Sequence, residues 1–205
     1  MHRVATYIDG FNLYFGLKGA GFKRYYWLDL DALSRQLLRP GQQLAVTHYF
    51  TARIRDNGRN TADLKRQNDY LEALATRSVR IQYGHFLEKP RRCLHCRAAW
   101  TSYEEKMSDV NLAIQLQADA FDDVFDTALI VSGDSDMTTP IRRIRARFPG
   151  KRLIVAFPPK RHSAELQRAA HGFLYIGEDK LRASQLPATI TKPDGFVLSR
   201  PVTWK

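Results

Sequence analysis

The chain has 205 residues, 44% apolar and 26% charged, a size and balance that suit one folded domain and exclude a largely disordered polymer. Its 32 Lys and Arg against 21 Asp and Glu leave a formal charge of +11, a positive field that attracts polyanions such as nucleic acid. No apolar run approaches the roughly 20 residues that span a bilayer, and the opening stretch lacks the apolar core of a secretory signal; a cytoplasmic protein with no membrane partner is expected.

In chain order, Val4 to Ile8 reads as a strand ending in Asp9-Gly10, followed by helical spacing from Asn12 to Leu17. Residues 29–38 read as a helix stopped by Pro40-Gly41, and Leu44 to Thr51 as a second strand. Asn60 to Arg77 suits a surface helix, with Leu64, Leu71, Leu74 and Ala75 on its apolar side. Ser78 to Tyr83 alternates as a third strand. A helix beginning at Glu105 or Ser108 runs to Phe121, Ala128 to Ser132 is a fourth strand, and Thr139-Pro140 opens another helix. Leu153 to Phe157, a helix from His162 to His171 and a short strand from Phe173 to Ile176 complete the alternation. Strands alternating with helices predict a mostly parallel sheet covered on both faces. Two segments depart from the pattern: residues 84–103 lack helical periodicity and hold both cysteines, and residues 187–204 read as a hairpin around Asp194-Gly195.

Open parallel sheets bind ligands beyond the carboxyl ends of their strands, where strand order reverses. Asp9 ends the first strand, and Asp134 and Asp136 follow the fourth. A three-two-one-four-five order makes those strands neighbours and brings the acids to one edge. Asp109 joins them by continuing the apolar stripe of Ala113, Leu116 and Ala120, whereas Asn111, Gln115, Asp119 and Asp122 form the polar stripe of the same helix. Each acid has a plain alternative: Asp109 and Asp136 suit helix capping, and Asp9-Gly10 suits a turn. Together they suggest a site for Mg2+ or Mn2+, which takes oxygen ligands, neutralises the acids and activates water against a phosphodiester.

Four blocks, Tyr7-Ile-Asp-Gly-Phe-Asn-Leu-Tyr14, Glu105-Lys-Met-Ser-Asp-Val-Asn-Leu-Ala113, Ile130-Val-Ser-Gly-Asp-Ser-Asp-Met137 and Val155-Ala-Phe-Pro-Pro-Lys-Arg-His-Ser163, resemble the NYN domains of the LabA-like group, in the PIN-like nuclease superfamily. The resemblance implies a Rossmann-like three-layer α/β sandwich and a metal-dependent nuclease acting on RNA, an endoribonuclease. It implies a domain over residues 1–185 with 84–103 as an inserted Cys-containing finger, and residues 186–205 as an extended tail. By position, Asp9, Asp109, Asp134 and Asp136 would be the metal-site acids. Asn12 would orient a water or a carboxylate, and Ser132 would be a small polar substrate contact.

Other groups bear on the reading. Cys93-Leu-His-Cys96 supplies half of a tetrahedral Zn2+ site. Intramolecular zinc with His85 or His95, zinc or a disulfide joining two subunits as a homodimer, and free thiols all remain open. Lys89, Arg91, Arg92, Arg97, Trp100 and Tyr103 make that segment a candidate finger for phosphates and bases, or a solvated hairpin. Lys160, Arg161, His162 and Ser163 open a helix where a phosphate would fit, or form a rigid capped loop. RNA is favoured over DNA as the partner. The alternatives to a nuclease are a catalytically inactive nucleic-acid- or nucleotide-binding regulatory module, and a phosphatase for small esters.

Overall fold

The computed structural model describes residues 1–58 and 60–204. Its first strand, β1 (His2–Asp9), leads directly into α1 (Gly10–Gly19), because the Asp9 carboxylate accepts the Asn12 amide at 2.9 Å and caps the helix. α2 (Leu30–Gln36), β2 (Gln42–Ala52), α3 (Thr61–Ala75), β3 (Val79–Arg92), β4 (Ala99–Lys106) and α4 (Ser108–Phe121) follow. The second half contains β5 (Thr127–Val131), α5 (Thr138–Arg147), β6 (Arg152–Phe157), α6 (Ala164–Ala169), β7 (Gly172–Tyr175), α7 (Glu178–Ala183) and the hairpin β8 (Thr189–Thr191) and β9 (Val197–Ser199). Among the described residues no helix is long and apolar enough to cross a membrane.

The seven-stranded sheet has the order β4-β3-β2-β1-β5-β6-β7 and is parallel except for β4. β1 pairs with β2 on one side and β5 on the other, so strand order reverses at β1 and the crevice opens beyond Asp9. Successive side chains of β1 feed two layers. Val4 and Ile8 join Leu13, Leu17, Leu33, Leu74 and Leu181, while Ala5 and Tyr7 join Leu112, Leu116, Ile141, Ile144 and Leu166. Burying each such Leu or Ile contributes about 1.5–3 kcal/mol, which is what holds the helices on both faces.

Several elements differ from the sequence expectation. The third strand runs far beyond Tyr83, to Arg92, and pairs antiparallel with β4, so residues 85–106 form a two-stranded projection that β2 no longer flanks. α5 starts at Thr138 after a single 3-10 turn over Ser135–Met137. The last major helix is shortened to α6, with Ser163 as its cap. α7 was not expected; its six residues are too few to show a period. Asp119, expected in a solvated polar stripe, is 5% exposed, because Tyr7 and His48 on the facing strands reach it. Residues 186–204 pack onto the α1–α3 layer: Leu198 is buried and Trp204 meets Tyr26, Trp27 and Tyr70.

Candidate functional site

At the carboxyl edge, the ends of β1 and β5 are joined by side chains. The Ser132 hydroxyl donates to Asp9 Oδ2 at 2.8 Å, and the Asp134 amide donates to Ser132 Oγ at 3.0 Å. The Asn12 carbonyl oxygen accepts the Gly133 amide at 3.1 Å, tying α1 to the same loop. Asp134 Oδ1 accepts the Asp136 amide at 3.0 Å, so Asp134 caps the 3-10 turn and leaves the exposed Asp136 carboxylate outside that role. The sequence-based alternative, Asp136 as the cap of the following helix, is not what the structure has: α5 is entered through Met137 with no side-chain cap. Ser132, expected as a substrate contact, is fully buried, and its hydroxyl donates to Asp9 and positions that acid. Asn12 likewise acts on the loop that carries Asp134.

Asp109 sits in the first turn of α4, half-buried over this edge. Its carboxyl is pushed up to about 7, first by burial and then by the negative charges of Asp9, Asp134, Glu105 and Asp136. Asp9, 3% exposed, is also raised, by burial and less by Asp134, against the lowering effect of Asn12 and Ser132. Among the described residues no Lys, Arg or His forms an ion pair with any of these five acids. An all-oxygen donor set with uncompensated charge is the chemistry that a hard divalent cation satisfies. No three His, Cys, Asp or Glu side chains among the described residues form a ready ligand cage.

Glu105 is the acid that sequence reasoning left out of the site. It lies next to the end of β4, and its carboxylate accepts the Ser108 amide at 3.0 Å, which starts α4 next to Asp109. Its place in the Glu105–Asp109 block was the available signal.

A basic loop borders the acids. A Cβ at Gly133 would stand 2.9 Å from Arg161 Cβ, and one at Gly16 would stand 2.7 Å from the Pro159 carbonyl, so these two glycines let residues 158–162 close against the acid loop and α1. Lys160, Arg161 and His162 are exposed there; the Arg161 guanidinium lies 5.9 Å from the Phe15 ring, and His162 Nε2 is 2.8 Å from Gln167 Oε1. Ser163 Oγ accepts the Leu166 amide at 3.2 Å and serves as a cap. The other basic cluster, Arg142, Arg143 and Arg147, lies toward the far end of α5, with Arg147 about 16 Å from Asp136 at the helical rise. A cleft of about 410 Å³ between Phe121, Arg143, Arg147 and Phe148 belongs to that end and contains none of the acids. Across the crevice, Arg53 stacks on the exposed Tyr83 ring at 4.9 Å.

A doubly wound sheet with acids at the switch-point edge defines an α/β protein of the PIN-like class. The NYN domain profile matches residues 3–177, and the chain belongs to that family, within the PIN-like nuclease superfamily. Among curated proteins it is similar to the 6-hydroxy-3-succinoylpyridine 3-monooxygenase of Pseudomonas putida, 29% identical over 98% of this chain and 75% of that protein. Among solved structures it is similar to a protein of unknown function from Vibrio parahaemolyticus. That match has a TM-score of 0.53 and 18% identity, covers 90% of this chain and 96% of the other, and speaks to the fold alone.

Proposed function

We propose that this protein is a ribonuclease that hydrolyses phosphodiester bonds with Mg2+ or Mn2+ at the carboxyl edge of its sheet. The observation that carries the reading is the gathering of Asp109, half-buried in the first turn of α4, with Asp9, Asp134, Glu105 and Asp136 at one edge with no ion-pair partner among the described residues; burial first, and then these acids, push the Asp109 carboxyl up to about 7. Asp9, Asp109 and Asp134 would hold the ion, with Asp136 acting directly or through water. When bound, the ion supplies an activated water and offsets charge on the phosphate. Ser132 and the Asn12 amide fix the Asp9 carboxylate, and Asn12 fixes the loop bearing Asp134. A bound ion would favour the ionised form of Asp109. Lys160 and Arg161 hold the phosphate backbone, and exposed Tyr83, Trp100 and Tyr103 offer faces for base stacking.

The test is cleavage of labelled single-stranded RNA, duplex RNA and single-stranded DNA by the purified chain with Mg2+, with Mn2+ and with chelator. Metal-stimulated RNA cutting that Asp134→Asn abolishes while binding persists is the expected result. Binding without cutting on every substrate would assign a regulatory module, and turnover of small phosphate esters alone would assign a phosphatase. The relative that matches over 98% of the chain supports a second reading, oxygenation of a hydroxypyridine. Turnover of 6-hydroxy-3-succinoylpyridine with O2 and a reductant, and no nucleic-acid cleavage, would put that reading first.

A further inference from the structure

The β3–β4 projection ends in a turn built around Cys93 and Cys96. The Cys93 amide donates to the Ala98 carbonyl at 2.8 Å, the Arg97 amide donates to the Cys93 carbonyl at 3.0 Å, and Arg97 takes a φ of +58° to close the loop. The Cys96 amide points at Cys93 Sγ at 3.5 Å, and the His95 amide also faces that sulfur. Amides aimed at a sulfur stabilise the thiolate, the form that binds metal. Both cysteines are free, and Cys96 is exposed.

Zinc takes four ligands in a structural site, and one chain supplies two sulfurs in this turn. His85 does not complete the set: it pairs with Lys106, and Arg92 is seven residues further along β3, about 23 Å away at the rise of a strand. His95 lies between the two cysteines in the same tight turn. Among the described residues no three His, Cys, Asp or Glu side chains form a ligand group.

We propose that Cys93 and Cys96 are half of a zinc site that a second copy of this chain completes, giving a four-thiolate centre that joins two protomers tip to tip. Three features fit a second copy. The turn stands at the end of paired strands extending beyond β2, so two tips can meet without collision of the sheets. The half-site is self-complementary, as an isologous two-fold contact requires. Four thiolates on Zn2+ leave a charge of about −2, and Arg91, Arg92 and Arg97, which form no ion pair among the described residues, flank the two cysteines in the chain of each protomer. Lys89 and Lys106, by contrast, are already paired with Glu104. Without metal the same arginines repel, so the contact depends on zinc. Its formation releases up to four thiol protons to solvent.

The experiment measures zinc content and molar mass of the full chain, kept in a non-thiol reductant so that no disulfide persists. One zinc per two chains, a mass that doubles with zinc and halves with chelator, and a Co2+-loaded form with tetrathiolate absorption are expected. Cys93→Ser and Cys96→Ser should be zinc-free monomers with unchanged circular dichroism and melting temperature. A monomer holding one zinc per chain, a dimer that survives chelator and both substitutions, or no zinc bound at all would each overturn the proposal.

Discussion

Two aspartates of α4, Asp109 and Asp119, lie on the same side of the sheet and have opposite electrostatics. Asp119 accepts the Tyr7 hydroxyl at 2.6 Å and the Gln115 amide at 2.7 Å, and lies 3.0 Å from His48 Nε2, an ion-pair contact whose alignment falls short of a hydrogen bond. Burial pushes Asp119 up, but His48, Tyr7 and Gln115 outweigh it and hold the carboxyl below its ordinary value. Asp109, more exposed to solvent, is pushed up to about 7, first by burial and then by the acids it faces in place of donors. Partners, more than depth, separate the two. A bonded acid stabilises the fold, whereas an acid facing acids carries charge that no partner offsets.

The largest expected effect divides these roles. Asp134→Asn should lower RNA cleavage about a thousandfold, ~4 kcal/mol of barrier, in single-turnover assays. Its melting temperature should hold, because the amide oxygen can still accept from Asp136. Asp119→Ala should do the reverse. Leaving the buried Tyr7 hydroxyl and Gln115 amide without their acceptor costs about 2–3 kcal/mol in urea unfolding, with cleavage per folded molecule retained. A stable, inactive Asp119→Ala protein would break the division.

Next in size is the pH response of metal-free stability. The native Asp109 binds its proton more tightly than the unfolded chain does, so between the ordinary aspartate value of 3.8 and about 7 the native state carries the extra proton. Its contribution to stability is therefore fully present below 3.8 and lost as pH rises through about 7. Asp109→Asn should flatten that fall and raise stability at pH 8 by on the order of 1–2 kcal/mol, a figure already reduced for solvent screening of a half-buried group. Thermal melts of both proteins from pH 4 to 8 provide the check; parallel curves would mean that the acids do not press on Asp109.

The contrast between the two aspartates was only half legible in the sequence. Asp9 and Asp134 could be read because each follows a short apolar run, and a parallel sheet sends all such ends to one edge. Asp119 could not, since helical spacing groups it with Asn111 and Gln115, while the groups that bury it, Tyr7 and His48, come from β1 and β2. Glu105 was obscured for another reason. It lies on β4, whose pairing with β3 is solvated along most of its length and shows no sustained apolar alternation, so the hairpin left no periodic mark.

The smallest effect tests which basic surface serves the acid edge. Arg161 stands on the loop that packs against Gly133, whereas Arg147 lies at the far end of α5; both are exposed and neither has an ion pair among the described residues. Removing one phosphate anchor with Arg161→Ala should weaken RNA binding a few-fold and flatten the plot of log affinity against log salt by about 0.7, the single-strand value per neutralised phosphate. Arg147→Ala should leave both unchanged, since its helix position lies about 16 Å along the helix axis from Asp136 and on the side of the far cleft. The comparison is best made with the Asp134→Asn chain, which binds without cutting. If Arg147→Ala gave the larger change in slope, the nucleic-acid track would run over the cleft beside Phe121 and Phe148, and the acids would have to serve a different substrate.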